Sequence, residues 1–223
     1  MALKVIYERC LKPAWSALND RLLNIQTIPR TRWDAPEKSV CSDARGYGSC
    51  DYFYTYKLMR DCGLQPQDVV YDLGCGMGRL LCVSATRRVL RCVGVELVPE
   101  LSEIARQNAK RMRFRKAQIE VRCDDCATTD LGDGTVYLLF NPFGPRTLRA
   151  VLNNIALSLE KNMRPVRIAY SRPLEEAELA ATGWLSKATE FSTFFGNRVS
   201  FWSNQVQRTT DESNPLSKVT RLG

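Results

Sequence analysis

Histidine is missing altogether from the 223 residues, which removes every mechanism built on an imidazole base. Proton transfer then falls to carboxylates, Tyr, Cys, Lys or backbone groups. A second CxxC is missing too: Cys123 and Cys126 have that spacing alone, and with no histidine to complete a ligand set no metal site is expected. The nine cysteines fall at irregular spacings, unlike a secreted disulfide framework, so Cys62, Cys75, Cys82 and Cys92 read as small buried thiols. No apolar run reaches membrane-spanning length. The opening MALKVIYERC carries Lys4, Glu8 and Arg9, which break up the apolar segment of a signal peptide. A soluble, cytoplasmic protein with no membrane partner is the expectation. Neither a repeat nor a linker marks a second core. The expected organisation is an N-terminal helical extension and acceptor-side cap over residues 1–60, a ligand-binding domain over 61–203, and a polar tail over 204–223.

What is present is a cationic chain, with a net charge of +8 and a pI of about 9.1, so an acidic partner has to be weighed. The densest stretch is RQNAKRMRFRK, Arg106 to Lys116. Leu101, Ile104, Ala105, Asn108 and Met112 mark one helical face there and the basic residues largely occupy the other, so a solvated helix face is the favoured reading over nucleic acid.

From Asp68 onward, apolar runs alternate with helical periodicity. Val69 to Leu73, Arg91 to Leu97, Gln118 to Arg122, Val136 to Phe140 and Val166 to Tyr170 read as strands. Arg79 to Arg88, Pro99 to Arg113 and Pro145 to Glu160 read as helices, the last with an apolar stripe of Leu148, Val151, Leu152, Ile155 and Leu159. This alternation implies an α/β fold: a doubly wound, mostly parallel sheet with ligands at the carboxyl ends of its strands. Phe191 to Phe195, Gly196-Asn197 and Arg198 to Trp202 predict an antiparallel hairpin at the end. Leu3 to Ile25 reads as helical but broken at Pro13.

The most informative stretch is VVYDLGCGMG, Val69 to Gly78: a strand, a carboxylate at its end, then glycines at alternate positions. Such a loop lets the backbone approach a ligand closely. A dinucleotide site would space its glycines G-x-G-x-x-G to receive a diphosphate, whereas here Asp72 stands at the loop mouth and would repel one. Its natural guest is a cation. Glu96, ending the second strand, offers two acceptor oxygens suited to vicinal ribose hydroxyls. A ligand with a ribose and a positive group, and without phosphate, meets both demands.

VVYDLGCGMG, VGVEL and RCDDC together resemble the class I S-adenosylmethionine-dependent methyltransferases over roughly Tyr47 to Trp202. The resemblance implies a seven-stranded sheet, S-adenosyl-L-methionine as cofactor, and a methionine-binding role for Asp72, Gly74, Cys75, Gly76 and Gly78. It implies the ribose site at Glu96 with Leu97 beside it, and an acid for the adenine amino group after the third strand, Asp125 before Asp124. FNPFG, Phe140 to Gly144, resembles the D/N-P-P-Y/F signature of nitrogen methylation but is one proline short. DLGCGMG, GVE and NPFG together are similar in layout to the non-SET histone-lysine methyltransferases of the disruptor-of-telomeric-silencing type. That likeness implies an amine acceptor on a protein, peptide or small molecule, with Asn141 both orienting the acceptor and facing the cofactor, and Phe143 walling the pocket. Tyr47 is the candidate third member of the catalytic group and Tyr52 a secondary one, from the aromatic segment RGYGSCDYFYTY. Two alternatives stay open, a small-molecule O-methyltransferase and a nucleic-acid methyltransferase or binding module.

Overall fold

The computed structural model describes residues 6–29, 43–193 and 197–205. A π-helical turn, Tyr7–Leu11, leads directly into α1, Lys12–Leu23. The expected break at Pro13 is therefore not a break. Proline has no N–H to donate and its ring crowds the carbonyl four residues back, and the chain answers by widening to i→i−5 bonding, in which the Lys12 N–H meets the Tyr7 carbonyl. After the segment 43–51 comes α2, Tyr52–Asp61, a helix within the aromatic segment whose pattern does not itself mark one. Its N-cap is Asp51, whose Oδ1 accepts from the Phe53 N–H at 2.8 Å and whose Oδ2 accepts from the Tyr7 hydroxyl at 2.6 Å.

The alternating body follows in order: β1 Val69–Leu73, α3 Arg79–Ser84, β2 Arg91–Glu96, α4 Pro99–Arg111, β3 Gln118–Cys123, β4 Val136–Phe140, α5 Pro145–Lys161, β5 Arg167–Ser171, α6 Glu176–Ala180, β6 Ser186–Ser192 and β7 Arg198–Ser203. They form one seven-stranded sheet of order β3-β2-β1-β4-β5-β7-β6. The strands through β5 pair in parallel and β7 pairs antiparallel with both β5 and β6. The hairpin is real but displaced from its expected register: β6 begins at Ser186 and ends at Ser192. Thr193 and Asn197 close it through Thr193 N to Asn197 O at 2.8 Å; residues 194–196, part of the predicted strand and turn, lie outside the described residues, as does 206–223 of the predicted tail.

Two apolar layers flank the sheet. The predicted stripe of α5 is its buried face and packs with Val69, Tyr71 and Leu73 on one side. Val70 packs on the other with α2, α3 and the end of α1, through Tyr52, Leu58, Leu81 and Leu23. At roughly 1.5 to 3 kcal/mol for each fully buried aliphatic side chain, these layers hold the sheet between its helices. The period-2 alternation of β1 has a consequence for the site: Asp72 points with Val70 toward α3 and is itself buried.

Candidate active site

β1 and β4 lie side by side at the centre of the sheet, and their carboxyl ends open into a cavity of about 320 Å³. The turn after β1 forms its floor. Gly74 N and Cys75 N both donate to the Val95 carbonyl, at 2.9 and 3.0 Å, which pins the loop to the end of β2. Gly74 and Gly76 have φ of +71° and +55°, a region that side chains disfavour. Space excludes side chains there as well: a Cβ on Gly74 would lie 2.4 Å from Cβ of Pro142, and one on Gly76 would lie 2.3 Å from the Tyr47 ring. The loop is therefore clamped between NPFG and the aromatic segment. Gly78 is absent from the cavity wall; it N-caps α3, where a Cβ would come within 3.2 Å of Ala105.

Most of the predicted residues converge on this cavity. Asp72, Gly74, Cys75, Gly76, Glu96, Leu97, Asp125, Asn141, Phe143 and Tyr47 all line it, whereas Asp124 and Tyr52 do not. Asp124 instead turns its Oδ1 to the Asp125 N–H at 2.8 Å, and Asp125 Oδ1 accepts from Ala127 N at 2.8 Å. Glu96 Oε2 accepts from Gly76 N at 2.7 Å and Oε1 from Val98 N at 3.0 Å. Burial raises its pKa while the backbone N–H groups of Val98, Gly76 and Leu97 hold it back. A carboxylate carries about four acceptor positions, so both oxygens keep lone pairs for a ligand.

Asp72 differs. Its Oδ2 is buried with no hydrogen-bond partner among the described residues, an arrangement that costs free energy unless something completes it. Burial pushes its pKa up to about 7, the Leu81 backbone N–H opposing and the Glu96 charge adding to the rise. A folded-state pKa above the usual carboxylate value means that the neutral form stabilises the fold, a contribution lost as pH rises through about 7. The melting temperature of the ligand-free protein is accordingly expected to fall between pH 5 and pH 8, by an amount that shrinks in Asp72→Asn. Thermal melts across that range check it; an identical slope in the variant would refute it.

Above the loop lies the segment from Asp43 to Cys50. Ala44 and Phe143 form an antiparallel bridge, Arg45 N donates to the Pro142 carbonyl at 2.9 Å, and the Arg45 guanidinium pairs with Glu175 at 2.7 Å. The Tyr47 ring covers Gly76 while its hydroxyl donates to the Thr27 carbonyl at 2.8 Å. Burial raises its pKa strongly. The phenol is thus committed as a donor, and its ring forms part of the cavity wall.

At the end of β4, Asn141 has φ +48°, a strained conformation of the kind that collects at functional sites. Its Oδ1 accepts from the Tyr170 hydroxyl at 3.3 Å. Phe143 is buried beside it and Arg172, with φ +50°, lines the same side of the cavity.

Arg79 escaped the reading of the sequence. It follows the glycine loop directly, is 3% exposed and lines the cavity. Its Nε donates to Thr27 Oγ1 at 2.6 Å and its Nη1 to the Cys50 carbonyl at 2.7 Å. Asp20 balances the charge from 3.6 Å, and the guanidinium sits 4.5 Å from the centre of the Tyr52 ring. The available signal was a lone cation opening an otherwise apolar helix, RLLCV.

Comparison with known proteins bears on the fold and on the span that holds these residues. The family model described as "Histone methylation protein DOT1" matches residues 39–126, the span that contains the covering segment, the glycine loop, Glu96 and Asp125. No curated protein matches the chain. Among solved structures, an RNA methyltransferase from Salinibacter ruber in complex with S-adenosyl-L-homocysteine aligns over 74% of this chain and 100% of its own, with 22% identity and a TM-score of 0.54. The magnesium protoporphyrin IX methyltransferase of Synechocystis PCC 6803, with bound cofactor, aligns over 71% and 86% at 19% identity and a TM-score of 0.51. The N-methyltransferase NodS from Bradyrhizobium japonicum WM9, with S-adenosylhomocysteine, aligns over 67% and 83% at 12% identity and a TM-score of 0.52. No helix among the described residues is long and apolar enough to cross a membrane. The chain thus has the Rossmann-like fold of these solved methyltransferases and, over residues 39–126, is similar to the DOT1 histone-methylation family.

Proposed function

We propose that the enzyme methylates a nitrogen, the amine of a protein, peptide or small molecule, and that Asn141 aims that nitrogen at the donor methyl. The observation that carries the proposal is the placement of Asn141: a strained residue at the carboxyl end of the central strand β4, on the cavity wall facing the glycine loop. The cavity fits the cofactor. The unpartnered Oδ2 of Asp72 calls for a cation, Glu96 offers acceptors for two hydroxyls, and Gly74 and Gly76 let Pro142 and the Tyr47 ring pack directly on the loop backbone that floors the cavity. In this assignment Asp72, Gly74, Cys75 and Gly76 hold the methionine portion, Glu96 with Leu97 the ribose, and Asp125 the adenine edge. Gly78 supports the loop from behind. The cofactor, when bound, supplies an electrophilic methyl on a sulfonium.

The chain's part is alignment. Pro142 against Gly74 sets the distance between the acceptor wall and the loop, and positioned reactants gain on the order of 7 to 11 kcal/mol over free ones. The Asn141 side-chain oxygen and the carbonyls of its turn accept N–H bonds and so direct the nitrogen lone pair inward. Phe143 and Tyr47 close the walls and keep water out. The presence of an N-methyltransferase among the structural neighbours and the match to a histone-methylation family support an amine acceptor.

Radiolabelled methyl transfer to amine-bearing and hydroxyl- or carboxyl-bearing acceptor pools tests the reading. Label in amines, stable to alkali, is the expected result; alkali-labile label, or label in hydroxyl acceptors alone, would overturn it in favour of O-methylation. For the cofactor half, Glu96→Ala is expected to weaken S-adenosylmethionine and S-adenosylhomocysteine alike, by roughly 10-fold to 150-fold, as hydrogen bonds to a charged group are lost. Calorimetry measures it, and unchanged affinity for both compounds would remove Glu96 from the site.

A further inference from the structure

The end of the sheet opposite the cofactor cavity gathers cations that the sequence disperses. Two segments meet there. Lys116 N and Ala117 N both donate to the Ala85 carbonyl, at 2.8 and 3.2 Å, so the loop after α4 lies against the turn after α3, where Arg87 and Arg88 follow. The end of α1 joins them, through Arg113 N to the Leu23 carbonyl at 2.8 Å and Asn24 Nδ2 to the Arg111 carbonyl at 2.8 Å. Arg87, Arg88, Arg111, Arg113, Arg115 and Lys116 are all exposed. None of the six pairs with a carboxylate among the described residues; Arg111 reaches the Asn108 side chain and Arg115 the Ala109 carbonyl. Elsewhere cations are paired, as Arg45, Lys57, Arg167 and Arg198 show. The two contributing stretches, 79–95 and 104–119, contain no Asp or Glu, and at the same end of the sheet Glu120, Asp133 and Asp68 are held by Arg122, Arg91 and Arg167.

Two further features separate this patch from a merely solvated surface. Phe114, between Arg113 and Arg115, is 66% exposed and has φ +61°, a conformation costly for an aromatic residue. At the same end of the sheet a depression of about 420 Å³ is lined by Leu90, Arg91, Lys116, Gln118 and Asp133, which bring hydrogen-bonding groups to the patch. The apolar side of α4, Leu101, Ala105, Ala109 and Met112, is buried, so the helix that leads into the cationic loop offers no apolar face for insertion into a lipid surface.

We infer that this end of the molecule binds single-stranded nucleic acid, its phosphates on the six cations and an unstacked base on Phe114. An irregular double loop fits a flexible strand better than the groove of a duplex, and base-on-aromatic stacking with a cationic track is how single strands are held without sequence preference. The surface lies at the opposite end of the strands from the cavity, so it tethers a partner independently of the cofactor.

Fluorescence anisotropy with a labelled 12-nucleotide oligouridylate and the full chain tests this between about 50 and 200 mM salt. The expected slope of log affinity against log salt is roughly −3 to −4, for four to six phosphates at about 0.7 each. Arg113→Gln/Arg115→Gln/Lys116→Gln should flatten that slope by about 2. Phe114→Ala should weaken binding roughly 5-fold to 150-fold with the slope retained, and Arg113→Lys/Arg115→Lys should keep both. S-adenosylhomocysteine affinity, unchanged in each variant, certifies the fold. Absence of oligouridylate binding by the wild-type chain at the lowest salt, equal binding by the Gln variant, preference for a duplex of the same length, or capture by phosphatidylserine vesicles without oligouridylate binding would each overturn the inference.

Discussion

Asn141→Ala is expected to lower the single-turnover rate of methyl transfer by roughly 30-fold to 1000-fold while S-adenosylhomocysteine affinity stays nearly unchanged. An oriented hydrogen bond realised chiefly in the transition state is worth roughly 2 to 4 kcal/mol, and its loss appears in the rate rather than in ground-state binding. The backbone complicates the plain variant, because φ at Asn141 is +48° and alanine is strained there. Asn141→Gly removes the same oxygen without that strain. If the side chain orients the acceptor, both variants lose rate and Asn141→Gly keeps its melting temperature. If Asn141 serves only the turn, Asn141→Gly retains its rate, which would rule out the proposed role. Asn141→Asp keeps an acceptor oxygen and should recover part of the loss.

Asp20→Asn is expected to lower the melting temperature by roughly 6 to 20 °C. Asp20 is buried, accepts from Tyr52 OH at 2.6 Å and from Thr27 N at 2.7 Å, and is the counter-charge to the buried Arg79. Removing one partner of such a pair strands the other and costs about 3 to 5 kcal/mol, and in a domain of this size each kcal/mol is worth about 2 to 4 °C. Replacing both partners, in Asp20→Asn/Arg79→Met, should be less damaging than Asp20→Asn alone, because no unbalanced cation remains. A double variant less stable than the sum of the two single variants would show that the pair is not the unit. The network also carries the covering segment, since Thr27 receives both Arg79 and the Tyr47 hydroxyl. Asp20→Asn is therefore expected to weaken cofactor binding as well.

Much of this was legible in residues that answer to local rules. The strands β1, β2 and β4 are short apolar runs, the stripe of α5 has helical period, and the glycines of DLGCGMG have meaning only in a turn that must stay open. Asp72, Glu96 and Asn141 could be named because each ends a strand that the pattern predicts, and in a parallel sheet strand ends converge. Where local rules compete, the reading slipped. Pro13 ordinarily ends a helix, but a π-turn absorbed it. The helix over Tyr52–Asp61 hid inside an aromatic segment whose β-branched and aromatic content carries no clear period.

The sequence alone therefore determined the alternating order of strands and helices, the position of carboxylates and glycines at the strand ends, and the likeness to class I methyltransferases, because these follow from periodicity and from residue chemistry at strand ends. Only the tertiary structure decided which acid reaches the cavity, Asp125 and not Asp124, that Tyr47 is a wall, and that Arg79 ties α1 to the glycine loop. It also decided that Arg87 and Arg88 stand beside the cations of the loop after α4. The physical reason is the same in each case: these outcomes depend on contacts between residues far apart in the chain, such as Asp20 with Arg79 and Ala85 with Lys116, and no local pattern encodes which distant partner a side chain will meet.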